Sequence, residues 1–451
     1  MLLDKIFPGA PGLRWPVIPK PDSALHLGLQ FQLEKSQWLN PDEIEQLQWC
    51  QAEGLIYHAA KTVPLYKDRI PSKLIGKSLS WELWQEIPIL SRKDLIEAGD
   101  RQKSLKPLPG HERLNKIQSS GSTGMAITAY GTQTTGLFWQ AFTLRDHIWQ
   151  ERDLSGKLAA IRPVNMVEPG ESSSSPNWGG VTAKLFATGP AVLMSSRSDI
   201  ADQARWLEQE NPDFLLSLPS NLRELAKYCR EHNIALTKLK QVRTMGEILT
   251  ADTIELSREV LGVEIVDMYS AQEVGYIALQ CKEKGNYHIQ SEGVLVEVLD
   301  DNNQQCRPGE VGRVVVTTLL NFGAPLIRYA LGDYAEVGEC CDCGRGLPVL
   351  NKVLGRQRNM VITPEGRCFF PSFPEKYWDP KIKQLQFQQI AEDAMNLCLV
   401  VSEVLTNEEE KALIECFNNR SGYNYKFTFE YRDEIPRSKG GKYEDFVSLL
   451  I

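Results

Sequence analysis

The chain has 451 residues, with 50 Lys and Arg against 58 Asp and Glu, for a formal net charge of −8. That acidic balance excludes a broad basic footprint for nucleic acid, and the length predicts more than one hydrophobic core. No stretch is apolar enough to span a bilayer, Pro8, Pro11, Pro16 and Pro19 interrupt residues 1–20 where a secretion signal would be apolar, and ten cysteines show no disulfide framework, so a cytoplasmic protein with no membrane partner is expected.

Residues 1–105 read as a helix-rich lead-in, with an acidic amphipathic helix over 41–58 and shorter helical pieces around Pro88 in 81–98. Strand-like stretches at 114–118 and 126–130 flank Ser119, Ser120, Gly121, Ser122, Thr123 and Gly124, and a helix is expected over 134–150. Small residues of this kind suit a loop whose backbone approaches a ligand and whose hydroxyls and amides donate to phosphate. The same run alone also fits a solvated turn. Met125 and Ala126 follow Gly124, so the Lys-Ser/Thr ending of a Walker loop is missing.

From 157 to about 280, strands at 157–161, 191–194 and 263–268 alternate with helices at 200–209 and 219–232, which predicts an α/β domain. The run Ser172 to Ser175 beside Pro176 reads as a short loop. Strands at 294–298 and 312–318, joined by Asp/Asn/Gly-rich turns, predict a β-rich subdomain, with a further short strand at 326–329. After Gly355, strands at 385–389, 397–401 and 426–431 surround an acidic helix over 407–418. The expected fold class is therefore α/β, with a large N-terminal domain over 1–355 and a small C-terminal α+β lid over 356–451. The large domain divides into the lead-in, an α/β part over 106–290 and the β-rich part over 291–355.

Four later groups of residues carry chemistry. Tyr269-Ser270-Ala271-Gln272-Glu273 follows an apolar strand, where α/β folds present ligands; Glu273 suits Mg²⁺ and Tyr269 suits the face of a base. Asp333 offers two acceptors to a ribose diol, and Arg356 offers a planar fork. Lys439-Gly440-Gly441-Lys442 sets cations in a flexible loop, where they can neutralise charge that develops between a carboxylate and a phosphate. Cys281, His288, Cys341 and Cys343 make a tetrahedral zinc set, against the alternative of free buried cysteines, with Cys340 confusing the register. Trp139 and Trp149 read as core, and His58, His111 and His147 show no partner pattern.

In order and spacing these segments resemble the adenylate-forming superfamily, and most closely its phenylacetate-CoA ligase branch, over about residues 55–451. The resemblance implies ATP-dependent activation of a small-molecule carboxylic acid through an acyl-adenylate with release of pyrophosphate. Acyl transfer to a thiol, CoA, would follow. It implies that Ser119 to Gly124 hold the ATP phosphates, that Gly246, Glu247 and Tyr269 lie on the adenine side, and that Glu273 holds Mg²⁺. Asp333 and Arg356 would hold the ribose, Lys442 would approach the carboxylate and α-phosphate, and the domain after Arg356 would rotate between half-reactions. Zn²⁺ would staple two loops. Departures from the pattern are Ser270 for Gly, Gln272 for Ser or Thr, Met245-Gly246 for Gly-Ala, Ile248 for Pro, and Arg358 where the hinge usually has Asp or Lys. A carrier-protein thiol as acceptor, AMP transfer to a hydroxyl, a silent nucleotide-binding protein and a homodimer stay open at this stage.

Overall fold

A computed structural model describes residues 6–13, 15–118, 127–163, 167–365, 368–371, 378–436 and 444–450. The first helices are α1 (Pro21–Ser36), α2 (Pro41–Thr62), α3 (Trp81–Trp84) and α4 (Arg92–Ala98). The start of α2 is set by its sequence: Asn40 and Glu43 form a reciprocal capping box and Pro41 occupies the first turn, where no amide is needed. The hairpin β1 (Asn115–Gln118) and β2 (Thr128–Gly131) is followed by α5 (Gln133–Trp149), which a Thr132–Thr135 box caps.

Then come β3 (Leu158–Arg162), β4 (Ser172–Ser175), α6 (Gly180–Leu185), β5 (Ala191–Ser195), α7 (Ile200–Glu210), β6 (Phe214–Ser217), α8 (Pro219–His232), β7 (Gln241–Met245) and α9 (Ala251–Leu261). An unbroken run of strands follows: β8 (Glu264–Ala271), β9 (Gly275–Gln280), β10 (Tyr287–Ile289), β11 (Val294–Leu299), β12 (Val311–Thr318), β13 (Tyr329–Val337) and β14 (Val349–Arg356). These build one twelve-stranded sheet in the order β11-β12-β13-β14-β10-β9-β8-β7-β6-β3-β5-β4. The strands β5, β3, β6, β7 and β8 run parallel, joined by helices, and the strands beyond β8 are antiparallel. Ser172–Ser175 is therefore not a loop. It is the edge strand β4, antiparallel to β5, and its four side chains are exposed.

The C-terminal region has its own sheet and core. After β15 (Val361–Ile362) and β16 (Cys368–Phe369), strands β17 (Ile382–Ala391), β18 (Ala394–Val401), β19 (Lys426–Tyr431) and β20 (Phe446–Ser448) pair in the order β19-β18-β17-β20. Helix α10 (Asn407–Ser421) starts on a Thr406–Glu409 capping box, ends at Gly422 in a left-handed conformation, and buries Leu413 and Phe417 against the sheet. A fully buried Leu or Phe side chain contributes about 1.5–3 kcal/mol by leaving water. This core, which includes Leu385, Phe387, Leu397 and Leu399, is separate from those of the large sheet. The molecule is thus a large α/β domain plus a smaller C-terminal α+β region. Among the described residues no helix is long and apolar enough to cross a membrane.

Candidate functional site

The carboxyl ends of β7 and β8 and the facing edge of β13 and β14 bring several of the expected residues together. Tyr269 lies near the end of β8, and its hydroxyl donates to Asp333 Oδ2 at 2.8 Å. Asp333 and Arg356 are cross-strand partners on β13 and β14, with Arg356 Nε 3.7 Å from Asp333 Oδ1. Asp333 sits in a nine-residue strand rather than after the short strand expected at 326–329. Gly332 before it adopts φ +86°, a conformation that glycine reaches without Cβ strain.

Glu273 occupies the turn that joins β8 to β9. Its carboxylate is close enough to raise the pKa of two phenols. Tyr269 is raised well above its ordinary value by burial first and then by Asp333, with Glu273 adding and Arg356 opposing. Tyr329 is raised by burial and then by Glu273. Tyr269, Glu273, Asp333 and Arg356 therefore share one electrostatic neighbourhood. Tyr269 itself is buried, and its hydroxyl orients Asp333.

The pair expected on the adenine side, Gly246 and Glu247, follows β7 directly. Gly246 has φ +79°, which turns the chain so that Glu247 Oε2 accepts the backbone N–H of Ser220 at 2.8 Å, in the first turn of α8. A carboxylate is favoured there by the unsatisfied amides and the helix dipole. Gly355, with φ +98°, brings the other side of the site against this loop: a Cβ on it would lie 2.0 Å from Ile248 Cδ1. Ile248 is the residue that stands where the related pattern has proline, and it packs directly on the strand that carries Arg356.

Ser119, Ser120, Gly121, Ser122, Thr123, Gly124 and Lys442 lie outside the described residues. Around them, Gln118 pairs with Thr128 across the hairpin, and Glu444 and Asp445 lead into β20.

The metal set does converge. Cys281 follows β9, His288 is in β10, and Cys341 and Cys343 lie between β13 and β14; their ligand atoms are all within 4.8 Å of one another. Cys341 Sγ is 3.9 Å from Cys281 Sγ, and Cys343 Sγ is 3.3 Å from His288 Nε2. Zn–S bonds of about 2.3 Å in a tetrahedron place sulfurs about 3.8 Å apart, so the donors fit zinc. Burial holds His288 neutral, lowering it to about 4, and its Nδ1 faces the Leu347 carbonyl at 3.4 Å, which turns Nε2 to the centre. Burial pushes Cys281 up to about 11, whereas at Cys343 the opposing effect of burial is outweighed by the backbone and side chain of Arg345. Cys340 is exposed and stands outside the set.

Some features carried no legible signal. Trp149 is core as expected, but Trp139 is 40% exposed; it lies over Gly275 and packs at a tilt on Tyr276 with ring centres 4.7 Å apart. His147 contacts Arg152 at 3.2 Å in the core, and His58 meets the Phe322 carbonyl at 3.0 Å. Below the strand ends, Asp146 binds both Arg152 and Arg243, and Arg243 donates to the Tyr276 hydroxyl at 2.7 Å. No local pattern in sequence marks these partners.

Residues 371–448 match the family model described as the CapK C-terminal domain. Over 444 residues the chain is 22% identical to a phenylacetate-coenzyme A ligase of Thermus thermophilus, covering 90% of this chain and 97% of the relative. It is also 22% identical over 352 residues to the phenylacetate-coenzyme A ligase of Escherichia coli, covering 76% and 77%. A 2-hydroxyisobutyryl-CoA ligase in its postadenylation state superposes with a TM-score of 0.71 at 17% identity, over 92% of this chain and 91% of that one. In the thioesterification state, with the same coverage, that ligase superposes with a TM-score of 0.60 at 18% identity. The chain has the fold of the adenylate-forming acyl- and aryl-CoA ligases.

Proposed function

We propose that the protein is an AMP-forming acid:thiol ligase of the phenylacetate-CoA ligase type. It joins a small-molecule carboxylic acid to ATP as an acyl-adenylate, releases pyrophosphate, and passes the acyl group to CoA. The observation that carries this reading is the Tyr269–Asp333–Arg356 arrangement beside Glu273 at the strand ends. A ribose diol donates two hydrogen bonds, and Asp333, held in place by Tyr269 and Arg356, presents two fixed acceptors. Glu247, tied to α8, shapes the adenine side. Glu273 would hold Mg²⁺, which when bound offsets the negative charge of the phosphates. Ser119 to Gly124 would cradle those phosphates, and Lys442 would stabilise charge as the carboxylate attacks the α-phosphate, with pyrophosphate leaving. In the second step the thiol sulfur attacks the acyl carbon and AMP leaves with the bonding pair.

The superposition is better on the 2-hydroxyisobutyryl-CoA ligase in its postadenylation state than in its thioesterification state. We assign Cys281, His288, Cys341 and Cys343 to a structural Zn²⁺, whose closed four-donor set leaves no open position for catalysis. Metal analysis should find one zinc per chain, lost in Cys343→Ser with a lower Tm.

The test is ATP–pyrophosphate exchange with Mg²⁺ across aryl, arylacetic and fatty acids. Exchange with one class, abolished in Lys442→Ala, is the expected result. Asp333→Asn should raise KM for ATP about ten- to hundredfold, as loss of a charged hydrogen-bond acceptor costs about 1.5–3 kcal/mol. Absence of exchange with every acid, or exchange unchanged in Lys442→Ala, would sink the reading.

A further inference from the structure

Glu444 and Asp445 are consecutive acids at the start of the segment into β20, two and three residues beyond Lys442 in sequence. The backbone of this segment is fastened within the C-terminal region. Phe387 N–H donates to the Asp445 carbonyl at 2.8 Å, and Gln386 Nε2 donates to the Glu444 carbonyl at 2.9 Å. The Glu444 carboxylate pairs with Arg358, just past β14, and Asn359 Nδ2 donates to the Phe446 carbonyl at 2.8 Å.

Asp445 does something different. Its two carboxylate oxygens accept from Arg223 of α8, on the large domain, at 2.9 and 3.1 Å. This two-pronged geometry fixes orientation as well as distance. Arg223 is 11% exposed in its side chain and Asp445 33%, so the pair is strengthened by partial desolvation yet remains reachable by water. One turn further along α8, the Lys227 ammonium lies 5.7 Å from the Trp378 ring, a second bridge between the same two parts. At the same N-terminal end of α8, Glu247 holds the Ser220 amide, three residues before Arg223. The first turns of α8 thus touch both the Gly246–Glu247 segment and the segment that leads into β20.

We propose that the Arg223–Asp445 pair is a docking latch that positions the C-terminal region for acyl-adenylate formation and opens before thiol transfer. The two-step assignment rests on the ligase reading above, whereas the latch itself rests on the geometry of the seam. Arg223 is a positioning residue that acts through Asp445, not one that touches substrate.

Amide hydrogen exchange by mass spectrometry on the full chain tests it, comparing wild type, Arg223→Asp, Asp445→Arg and the double reversal. Each single reversal should speed exchange in 444–450 about tenfold and leave the region's own core, 394–421, unchanged. The double reversal should restore the wild-type rates. Single variants indistinguishable from wild type would overturn the latch, as would speeding that extends through 394–421 and is not restored in the double variant. With an acid that supports pyrophosphate exchange, the single reversals should lower adenylation about ten- to hundredfold while thioester formation from supplied acyl-adenylate changes less than about twofold. Equal losses in both half-reactions would overturn the assignment to the first step. Wild-type protein inactive with every acid would refute the ligase reading and leave the hydrogen-exchange result to decide the latch.

Discussion

Asp146 and Asp445 are both paired with arginine, yet they sit in opposite surroundings. Asp146 is 1% exposed beneath the strand ends and is shared by Arg152 and Arg243, whereas Asp445 is a third exposed at the seam and is gripped by one arginine that comes from the other part. A dry charge with two partners cannot lose either cheaply, because the ion left behind stays buried. A wet charge with one partner can let go and be hydrated. The difference separates ion pairs that hold the sheet ends in place from ion pairs that permit motion between parts.

The comparison can be broken most severely at Asp146. Asp146→Asn should destabilise the protein by about 3–5 kcal/mol in denaturant unfolding, since two buried cations lose their counter-charge. Acid should act on the same group: burial raises its carboxyl, but Arg152 and Arg243 outweigh burial and hold it below the ordinary 3.8. Its contribution is therefore present above 3.8 and lost as pH falls through the lower folded value.

Asp267 sharpens the contrast with a smaller effect of opposite sign. It accepts from the Thr244 and Tyr287 hydroxyls at 2.6 and 2.9 Å, and burial pushes its carboxyl up to about 7 from 3.8. The folded state then holds this proton better than the unfolded state, so stability falls as pH rises from 3.8 to about 7. Tm measured across that range should fall less in Asp267→Asn than in wild type.

At the seam side, Gly355→Val should cost about 1–3 kcal/mol, from strained positive φ and the clash with Ile248. Adding Ile248→Ala should recover the clash but not the backbone strain. Smallest of all, Lys411→Ala should change stability by no more than about 0.5 kcal/mol, because its 3.9 Å pair with Glu415 lies in open water.

Much of this architecture was legible because it is local. The alternation of apolar runs with helical periods marked β3, β5, β8, α7 and α8, and the boxes at Asn40 and Thr406 fix where their helices begin. Asp333, Arg356 and the Cys/His set could be named because each sits in a short patterned segment, and the fold brings each group together. The continuity of β11 to β14 with the parallel strands had no such marker, since strand pairing depends on partners distant in sequence. Ser172–Ser175 misled because serine is common in loops, while an edge strand in water needs no apolar face. Arg223 and Asp445 are 222 residues apart, and an arginine on an amphipathic helix looks the same whether it meets solvent or another part of the chain.

The two edges of the twelve-stranded sheet also bear on how the protein keeps to itself. At one end β11 is strongly apolar, but Gln48 of α2 donates to the Ser291 and Val294 carbonyls and Trp84 of α3 donates to Glu297, so helices roof that border. At the other end the four serines of β4 are exposed and offer hydroxyls rather than grease to a strand that approaches. An uncovered edge of Val or Ile would invite intermolecular sheet growth when the protein is concentrated. Covering one border and wetting the other leaves neither margin of the sheet as an apolar template for another strand.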